Sequence, residues 1–128
     1  MESFSIDGKL APVEGERVEA MYMVRAIVRP QKVNEVISAL LEAGFPSVTK
    51  MDVSGRGKQR GIEVGGVRYD EIAKVMLMVV VEEKDKDDLI SIILRHGRTE
   101  PKGHYGDGKI FVSRVEEAYT ISTGTNNL

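Results

Sequence analysis

The sequence predicts an α+β domain of strand–helix–strand–strand–helix–strand order, an antiparallel sheet with both helices on one face. Three observations predict it. Two stretches with apolar residues at helical spacing, one from Gln31 and one from Asp85, each lie between runs rich in β-formers. Residues 75–81 are apolar on both faces, as a central strand is. Residues 55–73 hold five glycines, several charges and almost no apolar periodicity, so they join strands and are not one themselves. A loop of that length inside a small domain is usually functional or disordered, and it reads here as the working part of the chain. The remainder looks like a scaffold for that loop and for a second glycine-rich turn, Gly106-Asp107-Gly108-Lys109.

Length and composition bound the class. At 128 residues the chain is one domain, and 41% hydrophobic with 30% charged residues is the make-up of a soluble globular protein. A net charge of −2 gives no global attraction to nucleic acid or anionic membrane. The absence of cysteine excludes a disulfide framework and thiolate chemistry, and fits a reducing compartment. No apolar run approaches the roughly 20 residues needed to cross a bilayer, and the N-terminus lacks the succession of a signal peptide. A cytoplasmic protein, not embedded in a membrane, is expected.

Residues 1–20 mix Gly8, Pro12 and Gly15 with acids and without a sustained period, so a disordered N-terminal extension is expected ahead of a domain over residues 21–128. Residues 22–28 form the first strand, which Arg29-Pro30 ends because proline removes a ladder donor. From Gln31, the residues Val33, Val36, Ile37, Leu40 and Leu41 make one helical stripe, and Gly44 supplies the stop. Thr49, Met51 and Val53 then alternate with Lys50, Asp52 and Ser54, the period of a half-buried strand. After the long loop and the apolar strand, acids from Asp85 to Asp88 stand where a helix N-terminus favours them, and Leu89, Ile92 and Ile93 start a stripe that closes near His96-Gly97. Residues 109–113 and 117–121 complete the order as a last strand or pair of strands. This is the ferredoxin-like arrangement, and its open sheet face, apolar along residues 75–81, calls for cover by another subunit.

Several constellations could carry chemistry. The Gly106-Asp107-Gly108-Lys109 turn lets backbone amides converge beside a lysine, as anion sites require, although Asp-Gly is also an ordinary hairpin turn. The segment from Gly55 to Gly61 sets Arg56, Lys58 and Arg60 among three glycines; it is too short for an RNA-binding tract, and 5% aromatic content argues against base stacking. His96 and His104 lack a third ligand at metal spacing and read as surface or helix-end residues. Asp70 and Glu71 are adjacent loop acids, expected to be solvated. No Ser/His/Asp or Cys/His grouping nominates a nucleophile and base, so no enzyme is expected.

Taken together, the two glycine-rich segments on this fold resemble the PII nitrogen-regulatory signal-transduction family over about residues 22–125. Four pieces in register carry the resemblance: Arg25-Ala26-Ile27-Val28-Arg29-Pro30, Gly55-Arg56-Gly57-Lys58-Gln59-Arg60-Gly61, Lys74, and Gly106-Asp107-Gly108-Lys109-Ile110-Phe111-Val112. The stretch from Gly55 stands where the family has its effector loop, in a slightly shortened form. That form, with Thr49-Lys50-Met51-Asp52-Val53, looks like the branch associated with nitrogenase regulation in archaea and anaerobes.

The resemblance implies a compact homotrimer with nucleotide sites between subunits, binding ATP or ADP, or AMP. It implies phosphate contacts from Gly106, Asp107, Gly108 and Lys109, with Gly55, Gly57, Lys58 and Gln59 completing the site and Ile27 and Thr49 near base and ribose. Gln59 would reach Mg²⁺ and 2-oxoglutarate, and Lys74 would pair with the 2-oxoglutarate carboxylate by a charge-assisted bond. The partner would be a target enzyme such as nitrogenase, or a transporter, gripped by the 55–73 loop, with or without a paralogous subunit in the ring. No nucleic acid is implied.

Three departures qualify this. Thr120 and Ser122 stand where the family's last strand carries two phosphate-binding arginines. The turn ahead of Gly106 is longer than usual, Thr99-Glu100-Pro101-Lys102-Gly103-His104-Tyr105, and Tyr69 lies near but not at a position some members modify. Unless Arg98, Lys102, His104 or Arg114 replaces the missing arginines, ADP or AMP should bind comparably to ATP or better, and 2-oxoglutarate coupling should be weak. Besides the nitrogen sensor, a divergent regulator of a transporter or carbon-metabolism enzyme answering to ADP, AMP or another small molecule fits the same residues.

Overall fold

The computed structural model describes residues 2–4, 10–12, 19–55 and 72–128. Its elements are β1 (Glu2–Phe4), β2 (Leu10–Pro12), β3 (Met21–Val28), α1 (Val33–Glu42), β4 (Thr49–Gly55), β5 (Ile72–Glu82), α2 (Glu83–Gly97), β6 (Gly108–Val115), β7 (Tyr119–Thr120) and β8 (Thr125–Asn126). The main sheet has the order β4-β5-β3-β6, with antiparallel pairing throughout. With α1 and α2 packed on it, this is the ferredoxin-like α+β fold. β5 is central, as its two-sided apolar character requires.

Each helix follows from its stripe. Val33, Val36 and Leu40 of α1 and Leu89 and Ile93 of α2 are buried against Val24, Ala26 and Val28 of β3 and Leu77, Val79 and Val81 of β5. α1 ends in a Schellman motif. Gly44, at φ +94°, donates its amide to Leu41 O at 3.1 Å, Phe45 donates to Leu40 O at 2.8 Å, and the Phe45 ring then packs on the core. The start of α2 is tied back by Glu83 N to Ala20 O at 2.8 Å. Across the helix pair, His96 Nδ1 meets Glu35 Oε2 at 2.9 Å, which places His96 in a helix-end contact in the last turn of α2. The opposite sheet face carries half-buried Met76, Met78 and Val80 and the half-exposed Phe111, and among the described residues no helix lies over them.

Some boundaries differ from expectation. Gly55 is the last residue of β4, paired with Ile72, and Ile72 and Ala73 already belong to β5, so the connection runs over residues 56–71. Residues 117–121 do not extend the main sheet: Tyr119 and Thr120 pair with Asn126 and Thr125 in a separate hairpin. Of the N-terminal extension, β1 and β2 form an antiparallel ladder; the rest, apart from residues 19 and 20, lies outside the described residues.

Candidate functional site

Register decides which residues meet. Val28 faces Val75 on one side and Gly108 on the other, so Arg29, Lys74 and Asp107 emerge from three neighbouring strands at one end of the sheet. Arg29 is held extended (φ −64°, ψ 140°), the conformation a following proline imposes, and this aims it past the end of β3. Its Nε donates to Asp107 Oδ1 at 2.9 Å and its Nη2 to the Tyr105 carbonyl at 2.9 Å. Asp107 also accepts from Thr99 Oγ1 at 2.8 Å, Thr99 N at 3.1 Å and His104 N at 2.8 Å. The His104 ring lies over the same turn, with Nδ1 2.6 Å from Thr99 Oγ1. Lys74 Nζ donates to the Gly106 carbonyl.

The turn is thus built around one carboxylate. Burial pushes the Asp107 carboxyl up, but the His104 amide, the Arg29 guanidinium and both Thr99 donors outweigh it and hold the group well below the usual carboxylate range. Since the folded value is depressed, the stabilisation is complete above the unfolded value of about 4 and is lost as pH falls from there toward the folded one. The stability difference between the protein and Asp107→Asn should therefore shrink in urea titrations below about pH 4. A difference constant down to pH 2 would contradict this.

The charge balance at this end favours an anion. Burial, then the nearby Arg29, push the Lys74 ammonium below its ordinary value, with Asp107 opposing. Two cations against one committed carboxylate leave an excess positive charge that an anionic ligand would relieve. Gly108 is required by contact: at φ +119°, a Cβ there would lie 1.7 Å from the Ile27 carbonyl oxygen, so only glycine lets β6 open beside β3. Beside the turn, a cavity of about 460 Å³ is lined by the apolar Ile90, Leu94 and Ile110 and by Arg98, Asp107, Gly108 and Lys109. Ile27 also lines it. A volume in the few-hundred Å³ range with few polar groups is that of a small-molecule site.

The expected site residues divide into three groups. Ile27, Lys74, Gly106, Asp107, Gly108 and Lys109 gather at this sheet end or its cavity. Thr49 and Gly55 lie on β4, the opposite edge from β6. Three strand spacings separate the two edges, roughly 14 Å at 4.8 Å each. Gly57, Lys58 and Gln59, and with them the metal role of Gln59, lie outside the described residues, as does Tyr69. Among the described residues no cluster of His, Asp and Glu suits a metal ion. Arg29 and Thr99 were not expected as site residues. The signal for them was the aspartate between two glycines, a charge in a sharp turn that needs donors from elsewhere.

The family pattern "Nitrogen regulatory protein P-II" matches residues 21–125. The "Nitrogen fixation nifHD region GlnB-like protein 1" of Methanobacterium ivanovii is 53% identical over 108 residues, covering 84% of this chain and all of that protein. The "Nitrogen fixation nifHD2 region GlnB-like protein 1" of Methanosarcina barkeri is 54% identical over the same shares. Among solved structures, Arabidopsis thaliana PII bound to citrate superimposes with a TM-score of 0.69 at 35% identity, over 86% of this chain and 88% of that one. The chain therefore belongs to the P-II family of nitrogen regulatory proteins, signal-transduction regulators and not enzymes, and to its branch tied to nitrogen fixation.

Proposed function

We propose that the chain is a sensor of adenine nucleotide, and of 2-oxoglutarate, that controls a nitrogen-metabolism target such as nitrogenase through the loop between β4 and β5. The observation that carries this reading is the pre-built turn: Asp107, fixed by Arg29, Thr99 and His104, holds Gly106, Gly108 and Lys109 beside a cavity and an excess of positive charge. Such a turn offers backbone amides and a lysine to phosphates, and Lys74 stands ready for a ligand carboxylate. That a relative of this fold is known bound to citrate is in keeping with a carboxylate effector. Because the loop leaves from β4 and returns into β5 immediately before Lys74, a ligand touching Lys74 and the loop base biases the loop between states. Mg²⁺ at Gln59 would join ATP and 2-oxoglutarate.

The working form is a homotrimer. The half-buried Met76, Met78 and Val80 and the half-exposed Phe111 form an apolar face that a neighbouring copy would cover, and with β4 and β6 at opposite edges a neighbouring copy would bring its Thr49 to the turn. Light scattering at micromolar concentration should give three times the 14.2 kDa chain mass, and a monomeric mass contradicts the assembly. Deleting residues 62–68 should leave nucleotide affinity intact while abolishing an effect of the protein on purified nitrogenase; retained inhibition or activation by the deletion variant rules out the loop as effector. A second reading, a regulator of a transporter or carbon-metabolism enzyme that answers to ADP or AMP, is favoured by Thr120 and Ser122, which offer a third phosphate no cation.

A further inference from the structure

We propose that Arg98 supplies the phosphate contact that positions 120 and 122 lack, and so sets the preference for nucleotides with more phosphates; this rests on the nucleotide reading above. The shortage is real in this chain: from Glu116 to Leu128 there is no lysine or arginine, and Thr120 Oγ1 is committed to Asn127 Oδ1 at 3.2 Å. Four cations could make it good, and the structure separates them. Arg114 stacks over the Tyr22 ring at 5.9 Å, six residues along β6 from Gly108, roughly 20 Å away at 3.4 Å per residue. His104 is engaged with Thr99, and Lys102 does not line the cavity.

Arg98 does line it, together with Asp107, Gly108 and Lys109. α2 stops at Gly97, and Arg98 turns the backbone out of the helix (φ −76°, ψ 136°) toward the turn. Its stem is seated by the lengthened segment: a Cβ on Gly103 would lie 3.0 Å from Arg98 Cγ, 3.2 Å from Cδ and 3.3 Å from Asp107 Oδ2. Among the described residues, neither Arg98 nor Lys109 has an ion-pair partner. A guanidinium and an ammonium thus line one cavity, beside the Asp107 carboxylate that Arg29 already holds, and they offer an anion a fork and a point charge.

Calorimetry with AMP, ADP and ATP tests this on the unsubstituted protein, Arg98→Gln and Arg98→Lys. Arg98→Gln should weaken ATP by about tenfold or more, ADP less and AMP little, with the melting midpoint unchanged and Arg98→Lys intermediate. Equal weakening of all three nucleotides, or no weakening, overturns the assignment and leaves the nucleotide reading standing. If the unsubstituted protein binds none of the three, both fall.

Discussion

Gly108→Ala should abolish the native pairing at the start of β6, with a destabilisation above about 4 kcal/mol, the exceptional end of single substitutions. The added methyl would meet the Ile27 carbonyl oxygen at 1.7 Å and its carbon at 2.8 Å. Backbone cannot swing aside as a side chain can, and Ile27 is held between Met76 and Lys109 in the middle of the sheet. The positive φ of Gly108 adds strain for any L side chain. Either β6 detaches at its N-terminal end, moving Lys109 from the cavity, or the protein fails to accumulate in folded form. Urea unfolding and hydrogen exchange of the Val28 and Ile110 amides would read this. A variant of near-normal stability with those amides still protected would show that the strand start is more pliable than the contacts allow.

Asp107→Ala comes second, at about 2 to 3 kcal/mol. Four donors lose their acceptor together: Arg29 Nε, the Thr99 amide and hydroxyl, and the His104 amide. Charged hydrogen bonds contribute about 1.5–3 kcal/mol each, but they act as one network and Asp107 is 19% exposed, so water replaces part of the loss. Asp107→Asn should fall between, since an amide offers one acceptor oxygen where the carboxylate offers two. If the turn holds the phosphates as proposed, both variants should lose nucleotide binding by more than their loss of stability suggests. Denaturation and calorimetry on the same samples separate the two effects; full nucleotide affinity in Asp107→Ala would mean that the turn holds its shape without its carboxylate.

The parts of the fold legible in the sequence were those written in local period. The β3, β5, α1 and α2 runs follow from alternation, two-sided apolarity and helical stripes, and Gly44 marks a stop that the Schellman bonds then make. What was not legible depends on register. That Ile72 and Ala73 join β5 follows from their pairing with Gly55 and Ser54, which no local pattern announces. Tyr119 and Thr120 have strand character, but their partners lie a few residues on, in β8, and not in the main sheet. At the site, Gly106-Asp107-Gly108-Lys109 stood out as a motif, whereas Arg29 is 78 residues from Asp107 and becomes its partner only because β3 lies beside β6. Arg98 was one of four candidate cations in the sequence; cavity, stem packing and free charge are properties of the folded chain.

Titration of ATP into the protein and into Lys109→Ala decides whether the Asp107-centred turn is a nucleotide phosphate site. Lys109 is exposed and, among the described residues, without an ion-pair partner, so its removal should leave the melting midpoint unchanged. Saturable binding of one nucleotide per chain is expected, weakened about tenfold or more in Lys109→Ala. No saturable binding by the unsubstituted protein up to millimolar ATP, or equal affinity in the two proteins, would contradict it.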